Sequence, residues 1–405
     1  MSLRKPKLKL NTLRPRLRVA LPLATVFLLI EFLDELAFTV EGAALPVLRS
    51  ELALSYAEIG ILLGAAAVSA GVIEPLIMLL GDTRWRRALI LGGGMAVAAT
   101  FGGVAIAWGF PPLLLAFALG SPASGAFVSL SQATLMDLNP GRQPQAMARW
   151  SLAGSLGSLV GPLLFAAALF AGISWRWSFV GIAAGSLLLV GLLSRRQLPS
   201  DMPNHRKTDA AGLLKGLWEA VTDPALLRWF VLLELSDMLL DRFTIYVPLY
   251  FTDVVGISAA QASLVASLLM LSGLAGDFFT VRLLERMPGR RLVRMSAALV
   301  ALLYATWLWL PGLFAKLALL VLIGVARLGW YAVLQGEAYA TRPHRSGTVM
   351  AVNALSAFAA GAVSAGLGYA AEQWGLDRAM WLLIVGPLAL ALLVPSSRPP
   401  SEQPA

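Results

Sequence analysis

Apolar residues run through this chain in blocks of about 20, the length that crosses a hydrocarbon layer as a helix, and short polar turns separate them. Twelve such blocks are predicted, over residues 19–45, 57–80, 88–108, 111–136, 145–171, 175–194, 225–252, 259–284, 292–311, 314–338, 346–371 and 377–394. One long polar interval, 195–224, divides them six and six, and its Arg195, Arg196, Arg206, Lys207 and Lys215 give it the character of a cytoplasmic linker. The pattern predicts an all-α polytopic membrane protein. A basic arm (1–18) precedes a six-helix bundle (19–194), and after the linker come a second bundle (225–394) and a short tail (395–405).

The pattern breaks where acids enter the apolar blocks. Span 1 reads LLIEFLDEL and places Glu31, Asp34, Phe38 and Glu41 on one helical stripe about 80° wide. Span 7 repeats it 203 residues later as VLLELSDML, with Glu234 and Asp237 in register and Asp241 and Thr244 continuing the stripe. A carboxylate at the centre of a membrane helix costs roughly +2.5 to +3.5 kcal/mol on insertion scales, so these stripes must face protein or water. Helix-to-helix polar contacts are the bland explanation. A cavity whose carboxylates exchange protons or bind cations is the functional one. Glu74, followed by Pro75, and Asp277 occupy the same register in spans 2 and 8 as candidate proton relays, with Arg242 beside Asp241. Arg327 in span 10 is the other intramembrane base, a candidate partner for one of the acids.

The offset persists well beyond the acids. Ser55 and Glu58 align with Ser258 and Gln261 as S-x-x-E and S-x-x-Q capping boxes at the starts of spans 2 and 8. Gln132 aligns with Gln335, and Met147 with Met350. One unbroken offset over more than half of each bundle argues for duplication of a six-span unit, and in such parallel repeats the substrate site lies between the halves.

Composition sharpens this picture. Charged residues are 14% of the chain against about 25% in a soluble domain, and the mean hydropathy is +0.74. With the N-terminus inside, only Arg49, Arg176, Lys316 and Arg378 fall on the outer side, which obeys the positive-inside rule and predicts two cytoplasmic termini in a cell inner membrane. No removable signal peptide is visible. The basic arm suits anionic headgroups better than nucleic acid. The absence of cysteine removes disulfides, thiolate metal sites and thiol catalysis, and the two histidines, His205 and His344, lie in predicted loops. Trp85, Trp108, Trp175, Trp177, Trp229 and Trp374 sit near span ends as interface anchors, whereas Trp330 and Tyr331 could face a cavity beside Arg327.

Between spans 2 and 3 the chain reads LLGDTRWRRALI. This resembles the loop motif of the major facilitator superfamily, G-x-x-x-D-R-x-G-R-R/K: Asp82, Arg86 and Arg87 match, while Met78, Trp85 and Thr83 depart from it. The second copy, LLERMPGRRLV, supplies Glu285 and Arg290. The resemblance implies that Asp82, Arg86 and Arg87, with Glu285 and Arg290 as weaker counterparts, help lock an inner gate. In span 5, Gly157, Gly161 and Pro162 resemble the antiporter motif of the superfamily's proton-coupled drug exporters, G-x-x-x-G-P-x-x-G-G, although Phe165 and Ala166 replace its last glycines and span 4 lacks the exporters' arginine.

These features predict a transporter, monomeric and without a cofactor, rather than an enzyme. The expected cargo is a small cationic or lipophilic compound exchanged for protons at Glu31, Asp34, Glu234, Asp237, Asp241 and Arg327, because an interior with many acids and two arginines attracts cations. Two alternatives stay open: a carrier of hard divalent ions using all-carboxylate ligands, and a proton-driven nutrient importer. An intramembrane aspartyl protease using Asp237 and Asp277 is a distant rival.

Overall fold

The structure is a computed structural model that describes residues 22–81, 83–139, 142–196, 222–341 and 346–395. The basic arm, most of the linker, nearly all of the tail, Asp82, His205 and His344 lie outside these residues. The first half consists of α1 (Leu23–Glu51), α2 (Tyr56–Gly81), α3 (Arg86–Ala105), α4 (Phe110–Asp137), α5 (Gln143–Phe170) and α6 (Trp175–Ser194). The second consists of α7 (Pro224–Asp237 continuing to Asp253), α8 (Ala259–Leu284), α9 (Gly289–Trp309), α10 (Leu313–Ala326, then Trp330–Thr341), α11 (Ser346–Trp374) and α12 (Leu376–Leu393). Among the described residues nine helices are long and apolar enough to cross a membrane; α1 and α7, the carriers of the acidic stripes, are not among the nine.

Local chemistry sets the helix starts. At α2 the Glu58 amide donates to Ser55 Oγ (3.1 Å) while the Ser55 amide donates to Glu58 Oε2 (2.9 Å). At α8 Ser258 and Gln261 close the same reciprocal box, so both halves use the device that the repeat implied. The interiors of three helices depart from the even pattern. In α4 the turn Gly125–Ser129 is π-helical, and in α7 so is Met238–Arg242. Span 10, expected to be continuous, breaks at Arg327–Gly329, where Gly329 takes φ +61°, a conformation a side chain resists.

The halves join along α2 against α11 and α5 against α8, two seams related by the internal repeat, with α1 also meeting α7 and α8. Small residues allow the approach: a Cβ on Gly60 would lie 2.7 Å from Ser364 O, and one on Gly64 2.8 Å from Gly361 O. Polar contacts reinforce the end of the molecule remote from the linker. Arg49 pairs with Asp253 (3.0 Å), Tyr56 Oη donates to Asp253 (2.8 Å), and the Tyr56 amide at the start of α2 donates to Glu372 (2.8 Å). Toward the linker end of α2 and α8, Val72, Leu76, Leu271 and Phe278 are exposed.

Two tryptophans correct the sequence reading, and one lysine adds to it. Trp175 and Trp229 are core residues rather than interface anchors, with Trp175 donating to Glu51 (2.7 Å) and Trp229 lying beneath the Arg290 guanidinium. Lys316, expected on the outer side, is buried at that end of α10: its ammonium donates to Tyr250 Oη (2.9 Å) and Trp307 O (2.7 Å) and lies over both rings. Trp85, Trp108, Trp177 and Trp374 are exposed, as anchors should be.

Candidate functional site

In the first half the acids of α1 meet the small and hydroxylic faces of α4 and α5. Ser124, the residue before the π-helical turn of α4, donates to Asp34 Oδ1 at 2.6 Å. That turn starts with Gly125, where a Cβ would stand 2.8 Å from Glu74 Cδ, so the bulge and the missing side chain together give the Glu74 carboxyl its place. On α5, Ser158 donates to Glu35 Oε2 at 2.7 Å, and a Cβ on Gly154 would sit 2.7 Å from Glu31 Oε1. The Trp150 indole lies close enough to Glu31 to interact with its carboxyl. Gly157 and Gly161 bring the α5 backbone onto Phe32, Leu36 and Thr39 of α1; a Cβ on Gly161 would lie 2.6 Å from Leu36 O. Pro162 lies in the seam where α1 and α5 meet α7 and α8, beside Thr39, Gly42, Thr244 and Pro248. The antiporter-like stripe therefore packs α5 on α1 and makes room for two carboxylates.

Glu31, Asp34, Glu35, Glu41 and Glu74 lie within electrostatic range of one another as a chain of neighbours. The helices that surround them supply few cations: α2 and α4 hold no Lys or Arg, α1 holds only Arg49 at its far end, and α5 only Arg149 near its start. Asp34 also borders a small cavity of ≈ 10 Å³ with Ile30, Val97, Phe127 and Ser186, about the room of a single water.

The second half answers with a different chemistry. The π-helical turn of α7 carries Asp241 and Arg242. Such a turn leaves backbone carbonyls without their usual helical donors, and a bare carbonyl at membrane depth is costly. Buried Arg327, at the break in α10, donates to Leu239 O and Leu240 O of that turn. It lies within electrostatic range of Asp241 and Asp277. Asp237 neighbours Asp241 and Glu234 on α7. Asp241 in turn neighbours Glu35 of the first half, so the two acidic stripes face one another across the interface.

Ser124 and Arg327 stand 203 residues apart, at equivalent positions of the repeat. The hydroxyl at this position in the first half serves an acid, and the guanidinium in the second serves carbonyls and acids. Ser124, Ser158 and Trp150 are the partners that sequence reasoning missed. The offset through Arg327 would have found Ser124, whereas nothing in the sequence singles out Ser158 or Trp150.

Of the residues assigned to an inner gate, Arg86, Arg87 and Arg290 have described contacts within their own halves. Arg86 donates to Gly81 O (2.6 Å) and pairs with Asp137 (2.5 Å), Arg87 donates to Ser194 O (2.9 Å), and Arg290 pairs with Glu337 (2.6 Å). Glu285 is exposed at the end of α8, and Asp82 lies outside the described residues. Trp330 is buried and donates to Ser296 Oγ (2.8 Å), which leaves only Tyr331 of that pair exposed. Among the described residues no group of three or more His, Cys, Asp or Glu is arranged to hold a metal ion.

Comparison with known proteins gives a consistent picture. The sequence profile of the Major Facilitator Superfamily matches residues 27–366. Similar solved structures include a bacterial homolog of the human lysosomal transporter Spinster, inward-facing and occupied (TM-score 0.73, 16% identity, 91% of this chain and 94% of that one). The nucleoside transporter NupG matches with TM-score 0.71 and 15% identity over 92% of this chain and 97% of its own. The D-xylose–proton symporter matches with TM-score 0.71 and 15% identity over the same shares.

Proposed function

The chain belongs to the major facilitator superfamily, a family of transporters rather than enzymes, and from that premise we propose that it exchanges small cationic or lipophilic compounds for protons as an exporter. One observation carries the reading: five intramembrane carboxyls of the first half, Glu31, Asp34, Glu35, Glu41 and Glu74, gather with hydroxyl groups and an indole around them and, among the described residues, no Lys or Arg acting on them. Such a cluster holds protons or a positive cargo, and competition between the two for the same oxygens couples their movements. Under an inwardly directed proton gradient, carboxyls protonated at the outer face release their protons inside, where cargo takes their place and is carried outward.

With the linker on the cytoplasmic side, the Arg49–Asp253–Tyr56 seam closes the outer end, and the exposure of Val72, Leu76, Leu271 and Phe278 toward the linker supports access from the inner end. Alternating access then requires the halves to rock about the α2/α11 and α5/α8 seams. Arg327 is the counter-charge of the second half. Bonded to the α7 carbonyls and within electrostatic range of Asp241 and Asp277, it would respond to the loading of either acid.

The test is lumenal pH in proteoliposomes under an imposed proton gradient, on adding a panel of organic cations, of Mg²⁺, Ca²⁺ and Mn²⁺, and of neutral sugars and nucleosides. Proton movement driven by organic cations and lost in Glu31→Gln/Asp34→Asn is expected. Movement with divalent ions alone, or only with neutral sugars and nucleosides, would overturn the reading.

A further inference from the structure

The linker-side ends of α9 and α12 enclose a cleft of ≈ 460 Å³ that the transport site does not use, lined by Arg291, Arg294, Met295, Ala298 and Ala391. We infer that this cleft binds an anionic phospholipid, with its phosphodiester on Arg291 and Arg294 and an acyl chain along Met295, Ala298 and Leu302. The spacing i, i+3, i+4, i+7 puts the four lining residues of α9 on one helix face, cations above and apolar groups below. Met295, Leu302 and Leu392 are strongly exposed around it.

The charges of the cleft lack an anion. Arg290, next in sequence, is neutralised by Glu337, but neither Arg291 nor Arg294 makes an ion pair among the described residues. Arg294 Nε reaches only Ala391 O (3.3 Å), and neighbouring Arg228 of α7 donates to Leu393 O (2.6 Å). Both arginines also occupy the first two turns of α9, where the helix dipole disfavours positive charge. A phosphodiester at headgroup depth relieves both problems. The apolar strip continuing toward the membrane centre favours a lipid over a soluble phosphate, and anionic leaflets supply the ligand.

The full chain in phosphatidylcholine nanodiscs, titrated with phosphatidylglycerol, provides the test, read by native mass spectrometry and thermal midpoint. Phosphatidylglycerol should be retained over phosphatidylcholine, and Arg291→Gln/Arg294→Gln should weaken that retention at least about tenfold, the scale of one lost charged hydrogen bond. Arg291→Lys/Arg294→Lys, which keeps the charge and guards against misfolding, should retain the lipid partly. Arg282→Gln, which removes an exposed charge on α8, should change nothing. Equal retention in the double Gln variant, the same loss in Arg282→Gln, or an equal midpoint shift with soluble glycerol 3-phosphate would overturn the site.

Discussion

Asp34 shows how much a single partner decides at the residue scale. Its carboxyl takes a hydrogen bond from Ser124 whether it is ionised or, in Asp34→Asn, amidated, so Asn keeps the contact and removes the charge. Asp34→Asn should therefore leave the thermal midpoint near that of the native protein and cut cation-driven proton flux at least about tenfold. Ser124→Ala keeps the charge and removes a bond worth about 0.5–1.5 kcal/mol, so flux should fall only several-fold, and a loss as deep as that of Asp34→Asn would place the hydroxyl itself on the proton path. At Gly161 the constraint is steric. A valine there would drive its Cβ into Leu36 O and Thr39 Oγ1, at 2.6 and 2.5 Å, across the α1/α5 contact. Overpacking of this kind costs about 1–3 kcal/mol, and a lowered unfolding midpoint of Gly161→Val in detergent checks it.

At the scale of the element, the two π-helical turns and the break in α10 do what a regular helix cannot. Each occurs beside an acid of the site: Gly125–Ser129 beside Glu74, Met238–Arg242 around Asp241, and Arg327–Gly329 between Asp241 and Asp277. Arg327 ties the last two together through Leu239 O and Leu240 O. A lysine supplies one point charge instead of a planar fork and cannot span both carbonyls while neighbouring two acids. Arg327→Lys should thus lose at least about tenfold in transport rate although the charge is kept. Rates within twofold of native would show that charge alone matters there. The apolar pattern gave the helices and their order within a few residues, but it was silent on these irregular turns. They arise from tertiary needs: room for a carboxyl, or a donor for a freed carbonyl.

Across the whole molecule, the described conformation is held shut at one end by contacts that cross the halves. Arg49 and Asp253 are partly exposed, so their pair is worth at most about 1 kcal/mol. Asp253→Asn also weakens the Tyr56 contact and should shift the balance toward the state open at this end by roughly fivefold. The chain has no cysteine, so a single introduced thiol reports that balance directly. Gly42 lies 3.5 Å (to an ideal Cβ) from Ile245 Cα in the seam and admits a small side chain. Gly42→Cys should be alkylated several-fold faster from the far side when combined with Asp253→Asn, and an unchanged rate would show that the α2/α11 glycine packing alone keeps the end closed.

The sequence by itself determined the twelve-helix repeat, the acidic stripes on α1 and α7 and the capping boxes, because each is set by local periodicity or by the cost of charge in an apolar segment. It also carried the superfamily, which the profile over residues 27–366 bears out. Only the tertiary structure decided which partner each acid receives: Ser124 for Asp34, Ser158 for Glu35, Glu337 for Arg290 rather than Glu285. It also decided that Lys316, Trp175 and Trp229 are core residues. Those outcomes depend on which helix faces meet, and a one-dimensional pattern records the face a helix hides but not the neighbour that covers it.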